Sequence, residues 1–177
     1  MALTSAQQAT FRTDVKAQGG AIATAYAAKN TDAIAAAYNA AASPDFWIWR
    51  AKVTKEEYVN NTSQDATVFD WTVFIGRSQG ERDAFGQIFM NVGQSVNPSL
   101  PQVRQAFADI FSGAGGASVR THMLATSRKK VTIFGKLYAT GTGSTGSPAT
   151  VPTDLIDYVL TSQDAHDALF DSAGNPI

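Results

Sequence analysis

Ser78-Gln-Gly-Glu81-Arg-Asp-Ala-Phe85-Gly-Gln-Ile88-Phe89-Met-Asn-Val92 decides the fold class. Ser78 and Glu81 stand at capping-box spacing. Phe85, Ile88, Phe89 and Val92 follow at i, i+3, i+4 and i+7, so a helix over 79–92 has one apolar face. Beyond the rigid break Asn97-Pro98-Ser99-Leu100-Pro101, with Ser99 as cap, Val103, Phe107, Ile110 and Phe111 form a second stripe that ends at Ser112-Gly113. Two such helices in succession predict a mainly α protein, a compact helical bundle.

Upstream, Thr4 and Gln7 form another capping box, and Phe11 and Val15 fit a helix from 5 to 18 that stops at Gly19-Gly20. Ala21 to Ala42 is alanine-rich helical scaffold, broken at Asn30-Thr31, where Thr31 caps a segment running to about Tyr38. Pro44 ends it. Phe46-Trp47-Ile48-Trp49 with Arg50 and Lys52 reads as core or subunit contact in preference to a base-stacking platform, because one cluster with two basic neighbours is thin support for nucleic acid. Thr54 and Glu57 predict a short helix over 55–60. Val68 to Ile75 is a dense apolar run, read as a buried short strand or an extended anchor.

Downstream of Gly113 to Gly116, residues Leu124, Ser127, Val131, Phe134 and Tyr138 mark one face of a helix over 117–139. That reading is preferred to a strand at Val131-Thr132-Ile133. Thr140 to Thr150 is a flexible Gly/Ser/Thr-rich loop, and Leu155 to Leu160 looks extended. Thr161 or Ser162 caps a short last helix carrying Ala165, Ala168 and Leu169. The expected organisation is therefore a helical core domain over 1–139 and a loop with an extended C-terminal arm over 140–177. Leu155, Ile156, Tyr158, Val159 and Leu160 on that arm need burial that a neighbouring subunit or another assembly partner would supply.

Composition narrows function mainly by exclusion. A length of 177 residues suits one domain, and 16% charged residues is below the roughly 25% of free-standing proteins, so less of its surface than usual carries charge. Fourteen basic against fifteen acidic residues argue against general capture of nucleic acid. The absence of Cys and the presence of two His leave no thiolate chemistry and no multi-His metal site, so neither metal nor cofactor is expected. Gly141-Thr-Gly-Ser-Thr-Gly146 has dinucleotide-site spacing but follows a helix and precedes Ser147-Pro148, the wrong context. His122 is expected on a helix surface or interface, and His166, between Asp164 and Asp167, in solvent; no nucleophile elbow accompanies either. No apolar leader or membrane span is visible, which predicts a soluble, non-enzymatic protein.

Charge is unevenly placed. Residues 117–138 carry Arg120, Arg128, Lys129, Lys130 and Lys136 without an acid. Residues 152–177 carry Asp154, Asp157, Asp164, Asp167 and Asp171 without a base. On the expected helix, Lys129 and Lys136 lie opposite the apolar stripe and Arg128 and Lys130 flank it. The block is then free to meet the acidic tail of the same or a neighbouring chain, the preferred reading, or to face DNA.

One resemblance goes further. It rests on Ser43-Pro44-Asp45-Phe46-Trp47-Ile48-Trp49-Arg50, Phe69-Asp70-Trp71, Val96-Asn97-Pro98, Val103-Arg104-Gln105-Ala106 and Ala108-Asp109-Ile110-Phe111. It continues through Leu137-Tyr138-Ala139-Thr140-Gly141-Thr142-Gly143-Ser144-Thr145 and Ser147-Pro148-Ala149-Thr150. In these residues the chain resembles small structural proteins of the tailed-bacteriophage neck, the head–tail adaptors or connectors, over most of 30–170. The segment after Thr150 departs from that pattern in its extra Asp and longer tail. The resemblance implies a homo-oligomeric ring, usually a dodecamer, in the virion beneath the portal protein. Such a ring contacts head-closure or tail proteins and surrounds a channel through which DNA passes without sequence-specific binding; no membrane is involved. A head-closure or tail-terminator protein is the alternative virion part, and a small enzyme the remaining one.

Overall fold

Most helices begin at caps written locally in the sequence. The computed structural model describes residues 2–90 and 94–177. Thr4 accepts from the Gln7 amide at 3.3 Å while the Gln7 side chain accepts from the Thr4 amide at 2.8 Å, opening helix α1 (Ser5–Ala17). Helices α2 (Gly20–Ala27) and α3 (Thr31–Asn39) follow. Asn30, in place of the expected Thr31, caps α3 by accepting from the Ala33 amide at 3.0 Å. The Thr54–Glu57 box opens α4 (Lys55–Asn60). Then come α5 (Trp71–Ile75), α6 (Gln79–Met90), α7 (Pro101–Ile110), α8 (Ala117–Thr126), α9 (Ile133–Leu137) and α10 (Ser162–Leu169). The fold is mainly α. Val92, the end of the expected α6 stripe, lies outside the described residues. Ser99 turns back to Asn97 at 2.6 Å, and Pro101, with no amide hydrogen to satisfy, starts α7.

Among the described residues the strands are short: β1 (Trp47–Trp49) pairs antiparallel with β4 (Arg128–Lys130), and β2 (Val53–Thr54) with β3 (Ser95–Val96). Strand β4 corrects the expected continuous helix over 117–139. The Ser127 hydroxyl donates to the Met123 carbonyl at 2.7 Å and ends α8, and the Ser127 carbonyl takes the Arg50 amide at 2.9 Å. The chain therefore enters an extended path opposite β1, with Lys129 facing Ile48, and β-branched Val131 stays out of a helix. Thr132 then caps α9 by accepting from the Gly135 amide at 3.2 Å. Val131 and Phe134 still point inward, which is why their spacing imitates one helix.

The Val68–Ile75 run, read as a strand or anchor, is instead α5, because Asp70 accepts from the Val73 amide at 3.0 Å as an N-cap. The Gly-rich segment carries its own pairing: Thr140 and Thr150 exchange backbone hydrogen bonds of 2.8 and 3.0 Å. Ala149 extends the β1 edge by bonding Trp47 and Trp49.

Two apolar clusters result. The first joins Phe11, Val15, Ile34 and Tyr38 to Ile48, Val131 and Phe134, and takes in Leu155, Ile156, Leu160, Leu169 and Phe170. The second gathers Tyr58, Phe69, Phe85, Phe89, Phe107, Phe111, Val119 and Met123. Residues of the 140–177 segment complete the first cluster beside residues of 1–139. They pack against the chain's own N-terminal helices, so removing 151–177 would open that cluster.

Candidate functional site

Strand β4 brings the basic residues beside the aromatic run of β1. Register places Lys130 opposite Trp47 and Arg128 opposite Trp49. Arg128 and Lys130 lie over the Trp47 ring at 5.3 and 5.4 Å, so that ring faces cations of its own chain and is no base-stacking platform. Lys136 lies over the Phe46 ring at 5.6 Å, and Arg104 over Trp49 at 4.4 Å.

Neutralisation of the basic block is largely internal. Arg128 holds Asp65 through two nitrogens at 2.6 and 3.0 Å, Lys130 holds Asp45 at 2.6 Å, and Lys129 pairs with Asp157. The expected meeting of basic block and acidic tail therefore occurs within one chain at Lys129–Asp157. Asp164 and Asp167 take no part in it. Asp164 closes the Thr161 capping box of α10, and Asp167 accepts from Gln163 at 2.6 Å. Of the arm residues, Leu155, Ile156 and Leu160 are buried, Tyr158 is stacked on Phe134 at 5.6 Å, and Val159 remains exposed.

His122 also departs from expectation: it is fully buried. A carbonyl can only accept, so Nε2 carries the hydrogen and donates to the Tyr58 carbonyl at 2.7 Å, while Nδ1 accepts from the Thr67 hydroxyl at 3.0 Å. Ser63 then donates to Thr67 at 2.7 Å and accepts from the Asp65 and Thr67 amides. This chain of bonds holds the loop that carries Asp65 to Arg128. It also carries Gln64, which accepts from the Lys130 amide at 3.1 Å.

The residues that sequence reasoning missed lie on α5. Trp71 and Ile75 are 49% and 65% exposed at i, i+4, Val68 just before them is 63% exposed, and no residue of the helix is buried. Asp70 as a cap, followed by apolar residues four apart, was the available signal. Beneath α5, Phe69 packs on Trp71, Phe74 and Phe85 at 4.9 to 6.0 Å, so the exposed face stands on a cluster of aromatic rings.

Several caps make acid stability predictable. Burial pushes Glu57 up, but the Thr54 amide and the Arg50 guanidinium outweigh it and hold the carboxyl below its ordinary range. Asp164 is lowered in the same way against burial by Thr161 and Tyr158. Folded-state values below the unfolded ones mean stability that is complete above the unfolded values and lost as pH falls through the folded ones. The melting temperature should hold from neutrality to about pH 5 and then decline, and Glu57→Gln together with Asp164→Asn should flatten the decline. An equally steep decline in the double variant would contradict the assignment.

No protein-family model, curated protein or solved structure matches this chain. Among the described residues no helix is long and apolar enough to cross a membrane, and no group of three or more His, Asp or Glu is placed to hold a metal ion.

Proposed function

We propose that the chain is a structural subunit of a tailed-phage neck, a head–tail connector of the adaptor type that closes into a ring beneath the portal and has no catalytic role. The observation that carries the reading is α5. Trp71 and Ile75, one turn apart on α5, and Val68 just before it expose apolar side chains above a cluster of aromatic rings, and such a surface is what a subunit contact covers. Trp is the residue type that most often dominates such contacts. The resemblance at 43–50, 69–71, 96–98, 103–106, 108–111, 137–145 and 147–150 supplies the phage assignment. The mainly helical fold favours an adaptor over β-rich closure or tail-tube proteins. A ring subunit contacts its neighbours head to tail, so α5 of one copy meets a different surface of the next.

Cryo-electron microscopy of intact particles should show the chain as a closed ring between portal and tail with α5 inside the subunit contact. Trp71→Asp with Ile75→Asp should abolish incorporation while leaving the circular dichroism spectrum unchanged and lowering the melting temperature only modestly, since Ile75 is exposed and Trp71 loses only its edge contacts with Phe69 and Phe74. Density elsewhere in the particle, or normal incorporation of the double variant, overturns the proposal.

A further inference from the structure

A cleft of about 300 Å³ opens between α4, the 61–64 loop and β4. Four cations line it, Arg50, Lys52, Arg128 and Lys129, against two carboxylates, Glu57 and Asp157. These charges are not equally engaged. Arg128, though it lines the cleft, is held by Asp65, and Glu57 is held by Thr54 and Arg50. Lys52 is exposed and has no ion-pair partner among the described residues, and the side chains of Asn61 and Thr62 make no hydrogen bond among them. Arg50 uses one nitrogen on Glu57 and a long 3.4 Å contact on the Thr126 carbonyl, which leaves further N–H donors for a ligand.

Asp157 is the exchangeable member. Its one ion-pair partner among the described residues is Lys129, its side chain is 84% exposed, and that of Lys129 is only 22% exposed. An ion pair with one partner so solvated is weakly held, and the better-shielded lysine is the half fixed in place. The carboxylate thus occupies a position where an incoming anion would find Lys129, Lys52, Arg50, an amide and a hydroxyl around one cleft. Donors of this kind, mixing ammonium, guanidinium and neutral N–H and O–H, match the several acceptor oxygens of a phosphate group.

We infer that this cleft is a phosphate-binding site in which the Asp157 carboxylate is the internal stand-in that a phosphate displaces from Lys129. The inference holds whichever assembly the chain enters. Two sources share the chemistry: free phosphate or a phosphomonoester, and the phosphodiester backbone of DNA.

The test is a titration of the full chain with sodium phosphate at constant ionic strength, followed by amide NMR. Saturable shifts should be confined to the neighbourhood of Arg50, Lys52, Asn61, Thr62 and Lys129. Asp157→Asn removes the competing charge and should tighten binding by about fivefold, whereas Lys52→Ala with Lys129→Ala should weaken it by about tenfold or more. A gain of affinity in Asp157→Asn is a result that a merely damaged fold does not produce. A short DNA duplex of arbitrary sequence is then added to the phosphate-loaded protein. Displacement of phosphate by the duplex assigns the site to a DNA backbone, and failure to displace it assigns the site to free phosphate or a monoester. Absence of saturation at millimolar phosphate, shifts spread equally over remote cations such as Lys29, or unchanged affinity in Asp157→Asn overturns the inference.

Discussion

Replacing Phe134 by alanine is expected to cost about 4 kcal/mol of folding stability, within the usual range for a fully buried Phe. Its ring is inaccessible to solvent and meets Phe11 at 6.0 Å, Tyr138 at 5.0 Å and Tyr158 at 5.6 Å. It therefore joins α1, α9 and the C-terminal segment in one contact. Truncation removes the transfer free energy of the ring and leaves a cavity that three separate elements would have to close together. Urea denaturation should show the loss as a lower midpoint, and limited proteolysis should speed up between residues 140 and 160 as the C-terminal segment loosens. Phe134→Leu, which keeps most of the volume, should cost clearly less. A loss below about 1 kcal/mol for the alanine variant would mean that the C-terminal segment is held by other contacts.

Gly116→Ala should cost about 3 kcal/mol, for the opposite reason of too much volume. Gly116 precedes α8, where a Cβ would run into the Phe111 carbonyl oxygen and lie 2.6 Å from its carbon and 2.9 Å from its Cα. Backbone atoms cannot swing aside as a side-chain tip can. The link between α7 and α8 would have to shift, and Phe111 and Val119 in the second cluster with it. The neighbouring Gly115 makes the control: a Cβ there would meet only the Arg77 guanidinium at an ordinary 3.6 Å, so Gly115→Ala should be close to neutral. Equal denaturation midpoints for the two variants would refute the steric argument.

Where a helix is specified by its own first turn, reading the chain sufficed. The boxes at Thr4–Gln7 and Thr54–Glu57 close as their spacing requires, Thr161, one of two candidate caps, opens α10, and α6 and α7 bury the Phe85, Phe89 and Phe107 that their periodicity singles out. The errors cluster where a distant partner decides. Ser127 leaves the helix because Arg50, far away in sequence, supplies an amide to its carbonyl. The 140–150 segment is ordered by β1 and by Phe46, against which Gly143 packs with φ +66, a conformation and a closeness that suit glycine.

The candidate sites divide in the same way. The basic block, the acidic tail and their attraction were legible as charge runs, yet the pairing chose Asp157, Asp45 and Asp65 because β4 lies beside β1 and the 61–65 loop. Asp164 and Asp167 were equally charged but belong to α10, where the capping hydroxyl of Thr161 and the amide of Gln163 engage them first. His122 could not be placed from sequence at all, since its partners Tyr58 and Thr67 arrive through folding.

By itself, then, the sequence determined the mainly α class, the starts of the capped helices, which faces of α1, α6 and α7 are apolar, and the near-neutral charge. All of these follow from interactions between residues a few positions apart. Only the tertiary structure decided that 128–130 is a strand, that the C-terminal segment completes the first core, that α5 faces outward, and that four cations share one cleft. Each depends on which distant surfaces meet, because burial of apolar area and pairing of backbone groups are decided by those contacts and not by local spacing.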